Sequence, residues 1–126
     1  MSMRTPLGRV RGLGSAKEGV HHWWVQRLTA VALVPLTLWF VASLIQLAGA
    51  DYAMVSAWIA QPLVAVLLTL LFVSGFYHLA LGLQVVIEDY VHEDPARIVS
   101  LVAVRFACWL IGAIAVFSVL KIAFRG

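Results

Sequence analysis

Three long apolar blocks, Leu28–Leu47, Pro62–Ile87 and Ile98–Leu120, constrain this chain more than any other feature. A helix rises about 1.5 Å per residue, so about 20 apolar residues cross a hydrocarbon core roughly 30 Å thick. Each block is long enough to do so, and only the third contains a formal charge, Arg105. With 63% hydrophobic and 12% charged residues, the chain is not a soluble domain. The expected fold is an all-α membrane protein. It forms one anchor domain over residues 1–126, with a cytoplasmic segment and helix entry at 1–27 and transmembrane helices at 28–47, 62–87 and 98–120. Three helices make few contacts among themselves, and the connections leave no room for a soluble catalytic domain. The chain therefore reads as a subunit of something larger.

Orientation follows from the bases. Arg4, Arg9, Arg11, Lys17 and Arg27 precede or open the first block, and Arg97 lies in the second connection. Lys121 and Arg125 fall on the opposite side, and the connection from Ala48 to Gln61 carries Asp51 and no base. An excess of bases marks cytoplasmic loops, so the expectation is a cytoplasmic N-terminus and a C-terminal Gly126 on the outer, periplasmic face. The net charge of +3 reports this topology rather than a nucleic-acid partner. The basic start resembles a targeting peptide, but the apolar span is long and lacks a small-residue cleavage site, so it is read as retained. Cys108, the single cysteine, lies inside the third block, where it forms neither an intrachain disulfide nor a multi-cysteine metal site and reads as packing.

Ser15-Ala16-Lys17-Glu18 matches the S-x-x-E capping box, which places a helix start well before the membrane. The entry Gly19-Val20-His21-His22-Trp23-Trp24-Val25-Gln26-Arg27 suits an interfacial anchor, with tryptophans at headgroup level. It equally suits an inward Arg27 that binds a carboxylate through its planar fork. Pro35 is expected to bend the first helix.

The second block is richest in chemistry. His78 is the histidine within it, and an ionisable group at that depth costs about 2.5–3.5 kcal/mol on insertion scales unless something compensates it. It is a ligand candidate. At about 100° per residue, Ser74, His78, Gly82, Val85 and Asp89 share one face. Ser74 and Gly82 leave a shallow slot for a flat macrocycle or another helix, and the plainer alternative is a small-residue helix seam in which His78 hydrogen-bonds a neighbour. Twelve residues on, Asp89-Tyr90 suits a quinone, because a phenol donates to a quinone carbonyl and a carboxylate orients it or delivers protons. A regular helix separates Tyr90 from His78 by about 18 Å. Glu93 and Asp94 read as a solvated turn ended by Pro95. Arg105 is expected to snorkel or to pair with Glu88, Asp89 or a partner subunit.

The run from His78 through Gly82, Gln84 and Val85 to Asp89-Tyr90-Val91 resembles the small hydrophobic membrane-anchor family of succinate dehydrogenase, respiratory complex II. One spacing differs, since three residues rather than two separate Val85 from Asp89, while the histidine-to-tyrosine interval of twelve agrees. His21 followed six residues later by Arg27 is a second match, with His22 chemically equivalent. The resemblance covers nearly the whole chain. It implies three helices packed with a companion membrane anchor around a shared haem b, with His78 as one axial ligand of the iron. It further implies Arg27 and His21 near the haem propionates, and Tyr90 with Asp89 at a ubiquinone site. The partners implied, besides the companion anchor, are an iron–sulfur subunit, a flavoprotein subunit and the lipid of a bacterial inner membrane. Two other classes stand beside this one. The first is a haem-free structural or assembly subunit; the second is a small proton or ion transporter using His78, Asp89 and Arg105, which the absence of an evident repeat disfavours.

Overall fold

The computed structural model describes residues 5–12 and 17–125, so Arg4, Gly126 and the start of the capping box at Ser15 lie outside the described residues. Among the described residues five helices follow one another: α1 (Pro6–Val10), α2 (Lys17–Gln46), α3 (Tyr52–Ile59), α4 (Pro62–Tyr90) and α5 (Asp94–Arg125). α2, α4 and α5 are long and apolar enough to cross a membrane, which makes this a three-span, multi-pass architecture.

Each span outruns its apolar block, because hydropathy marks what lipid demands whereas caps mark where the helix stops. α2 is already helical at Lys17 and runs uninterrupted through Pro35, whose missing N–H leaves the Val31 carbonyl without its usual donor. α4 starts with Pro62 in its first turn, where no amide partner is needed, and continues past Ile87 until Val91 turns extended. Asp94 and Pro95, expected in a turn, form the first residues of α5 instead. Pro is tolerated there, and Asp94 favours the positive end of the helix and accepts a 2.6 Å hydrogen bond from Arg97.

Two short helices were not expected. In α1 the Thr5 hydroxyl accepts from the Gly8 N–H at 3.0 Å. In the outer connection Asp51 caps α3, accepting from the Met54 N–H at 2.9 Å. Gly49, just after α2, has φ +82°, a left-handed conformation open to glycine at little cost.

α4 touches both other spans, while α2 and α5 do not touch each other among the described residues. Its contacts with α2 run through Gly75, near Leu33, His78, near Thr29, and Gly82, near Gln26. Its contacts with α5 run through Phe76, near Gly112, and Gln84, near Arg105. At about 100° per residue these two sets lie on nearly opposite sides of α4, so the spans form a row with α4 in the middle.

The buried core sits at the α3 end of this row. Val64, Ala65 and Leu68 of α4 meet Val119 of α5, surrounded by Trp39, Phe40, Trp58, Leu71 and Phe72. Trp58 stacks on Trp39 with ring centroids 5.8 Å apart, tying the short helix back to α2. Nearer the middle, α5 approaches α4 at Gly112, where an added Cβ would lie 3.3 Å from Phe76 Cβ and Cγ. At Gly75 the same atom would meet Leu33 at an ordinary 3.8 Å. Gly75→Ala should therefore be neutral or slightly stabilising, whereas Gly112→Leu should cost about 1–3 kcal/mol by overpacking. Thermal denaturation of the purified protein in mild detergent checks the contrast; equal midpoints for the two variants would contradict this close approach.

Candidate functional site

α2 carries three polar residues, His22, Gln26 and Thr29, at intervals of four and three, which places them on one stripe of the helix. That stripe faces α4. The pairs Leu33 with Gly75, Thr29 with His78 and Gln26 with Gly82 step along two antiparallel helices in register. The slot made by the small residues of α4 is thus lined by another helix of the same chain, and Gln26 Nε2 lies 4.0 Å from where a Gly82 Cβ would be.

At the centre of this seam Thr29 Oγ1 lies 3.0 Å from His78 Nδ1. The same hydroxyl is 2.9 Å from the carbonyl oxygens of both Val25 and Gln26. His78 Nε2 makes no hydrogen bond among the described residues, and it is not among the enclosed polar atoms. His22 Nε2 and Gln26 Oε1, by contrast, are enclosed and have no hydrogen-bond partner among the described residues. An enclosed polar atom left unpaired costs about 1–3 kcal/mol, so these two mark a place where a bound group or water would be welcome.

The seam offers one imidazole nitrogen without a partner among the described residues, a second nitrogen against a hydroxyl, and further polar atoms, a donor set that would suit a single protein ligand to a metal-bearing group. No cluster of three or more His, Cys, Asp or Glu side chains able to hold a metal forms among the described residues.

The other expected site residues lie around this seam rather than in it. His21 is exposed and His22 is half-buried, so of the doubled histidine it is His22 that turns toward α4. Arg27 is exposed on the far flank, and its guanidinium sits 4.3 Å from the centroid of the Trp23 ring. Six residues on a regular helix amount to about 240° between His21 and Arg27, which puts them on different flanks of α2. Asp89 and Tyr90 form the last turn of α4, both exposed, with Tyr90 at 77%. Asp89 lies on the His78 face, while Tyr90 is turned about 120° from it.

A second polar group links α4 to α5. Arg105 Nη2 donates to Gln84 Oε1 at 3.2 Å, and Gln84 Nε2 donates to Glu88 Oε1 at 3.0 Å. Arg105 therefore reaches Glu88 through Gln84 rather than by direct pairing. Beside this relay a groove of about 500 Å³ runs between the helices, lined by Tyr77, Trp109 and Gly112 among others. Cys108 is buried against it, in keeping with a packing role.

Sequence reasoning gave no role to Gln26 or Thr29 and named Gln84 only as part of a motif. The signal for the first two was present, since His22, Gln26 and Thr29 mark one stripe of a helix that is otherwise largely apolar.

Residues 1–112 match the model of the succinate dehydrogenase/fumarate reductase transmembrane subunit family. The succinate dehydrogenase hydrophobic membrane anchor subunit of Rickettsia bellii is 33% identical over 102 residues, covering 81% of this chain and 82% of that one. The subunit of the same description from Paracoccus denitrificans is 30% identical over 117 residues, 93% of this chain and 90% of its own. A membrane anchor subunit of Reclinomonas americana is 32% identical over 100 residues, 71% of this chain and 77% of its own. No solved structure matches significantly. Three apolar spans in a row and a match over nearly the whole chain agree: the protein belongs to the succinate dehydrogenase/fumarate reductase transmembrane subunit family, as a multi-pass hydrophobic membrane anchor.

Proposed function

We propose that this chain supplies half of a haem b pocket and part of a ubiquinone site, and docks the flavoprotein and iron–sulfur subunits to the cytoplasmic face of the membrane. The single observation that carries the reading is the state of His78. Its Nδ1 lies 3.0 Å from the Thr29 hydroxyl and its Nε2 has no hydrogen-bond partner among the described residues, on a helix that lies between two others in an anchor of this family. His78 would hold the haem iron from this chain, and a second ligand would have to come from the companion membrane anchor. Bound there, the haem supplies one-electron exchange within reach of the quinone.

The remaining residues divide the work. Arg27 and His21 serve the propionates from the entry turns of α2, with His22 as the imidazole on the seam side. Tyr90 donates its phenolic hydrogen to a quinone carbonyl, and Asp89 holds the neighbouring charge. Both lie at the mouth of α4, about 18 Å from His78, within reach of a soluble partner. Basic residues before α2 and Arg97 in the first turn of α5 favour the cytoplasm for this end, and hence a periplasmic C-terminus. Electrons from succinate then arrive on the side where Tyr90 waits.

Replacing His78 with Leu should abolish the b-type absorbance bands of the complex purified through a tag on this chain. Unchanged bands would leave a haem-free anchor. Tyr90→Phe removes one hydrogen bond, worth about 1 kcal/mol or somewhat more, so succinate-to-ubiquinone turnover should fall about tenfold while succinate oxidation by a soluble dye is kept. Parallel loss of both activities would point to failed assembly instead.

A further inference from the structure

We propose that Thr29 is the positioning residue for His78, holding its imidazole with Nδ1 protonated and Nε2 free to ligate; this rests on the reading of His78 as a haem ligand. Thr29 and His78 are 49 positions apart and meet across the α2–α4 seam at 3.0 Å. A threonine hydroxyl has one hydrogen to give and lone pairs to receive with. A ligating Nε2 uses its own lone pair on the metal, so a neutral ring must carry its proton on Nδ1. The hydroxyl then accepts from Nδ1–H and sends its hydrogen to the carbonyl of Val25 or Gln26, each 2.9 Å away. Every donor in the chain from imidazole to backbone is satisfied by that one arrangement.

Three other hydroxyls of the spans provide a contrast. Ser43, Thr69 and Ser118 each donate to the carbonyl four residues earlier, at 2.8 Å, and meet no side chain among the described residues. Back-bonding of this kind is the ordinary way a helix in lipid absorbs a hydroxyl. Thr29 does the same and in addition presents its lone pairs to a ring on another helix. Because the hydroxyl is anchored to the backbone of α2, it fixes the azimuth of the imidazole as well as its tautomer. A hydrogen bond to the distal N–H also makes an imidazole a stronger donor toward a metal.

The test uses the assembled complex bearing Thr29→Val, which keeps the shape and removes the acceptor, and Thr29→Ser, which keeps it. Subunit stoichiometry, haem content after detergent washing, redox titration of the haem and low-temperature electron paramagnetic resonance of its ferric form are measured. The valine variant should show a shifted resonance, a raised midpoint potential because the ligand donates less to ferric iron, and readier haem loss, as the about 10- to 100-fold fall in affinity for such changes implies. Serine should restore wild-type values. Wild-type resonance and potential in the valine variant would overturn the proposal. Should that variant fail to assemble, Thr29→Ala against Thr29→Ser decides it in the same way, equal values in the two being the overturning result. His78→Leu run alongside separates the two claims. Haem retained in that variant defeats the ligand reading itself, whereas haem lost there with an unaltered valine variant defeats only the role of Thr29.

Discussion

The position of α4 between the other two spans is the constraint on which the rest of the molecule depends. A helix in contact with both neighbours must offer each a different face, and α4 does so with different chemistry. Toward α2 it presents Gly75, His78 and Gly82, small or polar residues that let the backbones approach and give the Thr29 hydroxyl a partner. Toward α5 it presents Phe76, packed on Gly112, and Gln84, bonded to Arg105. Near its first turns the same helix is apolar on the sides that meet Val119 and the Trp39–Trp58 stack. The row is thus held by close packing at one end and by hydrogen bonds along its polar half.

Polar groups in lipid are informative because few of them are free of cost. Ser43, Thr69 and Ser118 are answered by their own helices. Arg105, whose charge at bilayer depth would cost about 2.5–3.5 kcal/mol on insertion scales, is answered by Gln84 and through it by Glu88. The two enclosed atoms left over among the described residues, His22 Nε2 and Gln26 Oε1, lie on the stripe that also carries Thr29. They fall within one half of the α2–α4 seam, on the side of His78 toward the start of α2.

The three spans were legible in the sequence because block length and hydropathy alone demand them. Their ends were less so: α4 runs through Asp89 and Tyr90 and α5 begins at Asp94, since caps and prolines, not hydropathy, decide where a helix stops. The helix over Tyr52–Ile59 was hidden because eight residues in a loop carry little period, although Asp51 was a usable cap signal. His78 could be singled out by its depth, but its partner could not, because the pairing with Thr29 depends on the register between two helices. The choice between His21 and His22 was open to helical periodicity once Gln26 and Thr29 were considered with it. Arg27 and His21 match a linear pattern yet fall on different flanks of α2, so a motif shared along the chain need not be one surface.

Burial is a poor guide to which faces of such a chain take partners. In lipid an apolar side chain is nearly as well placed against acyl chains as against another helix, so the exposed valines and leucines of all three spans do not identify an interface. Polar side chains obey a different rule, since lipid offers them nothing. His21, Asp89 and Tyr90 are exposed, and with Arg27 they belong to the end where α2 begins and α4 finishes. His78 lies about 18 Å farther along α4, within the seam that leads from that end. The exposed polar groups and the seam around His78 therefore follow one another from the mouth of α4 inward, while the opposite end closes on its own apolar core.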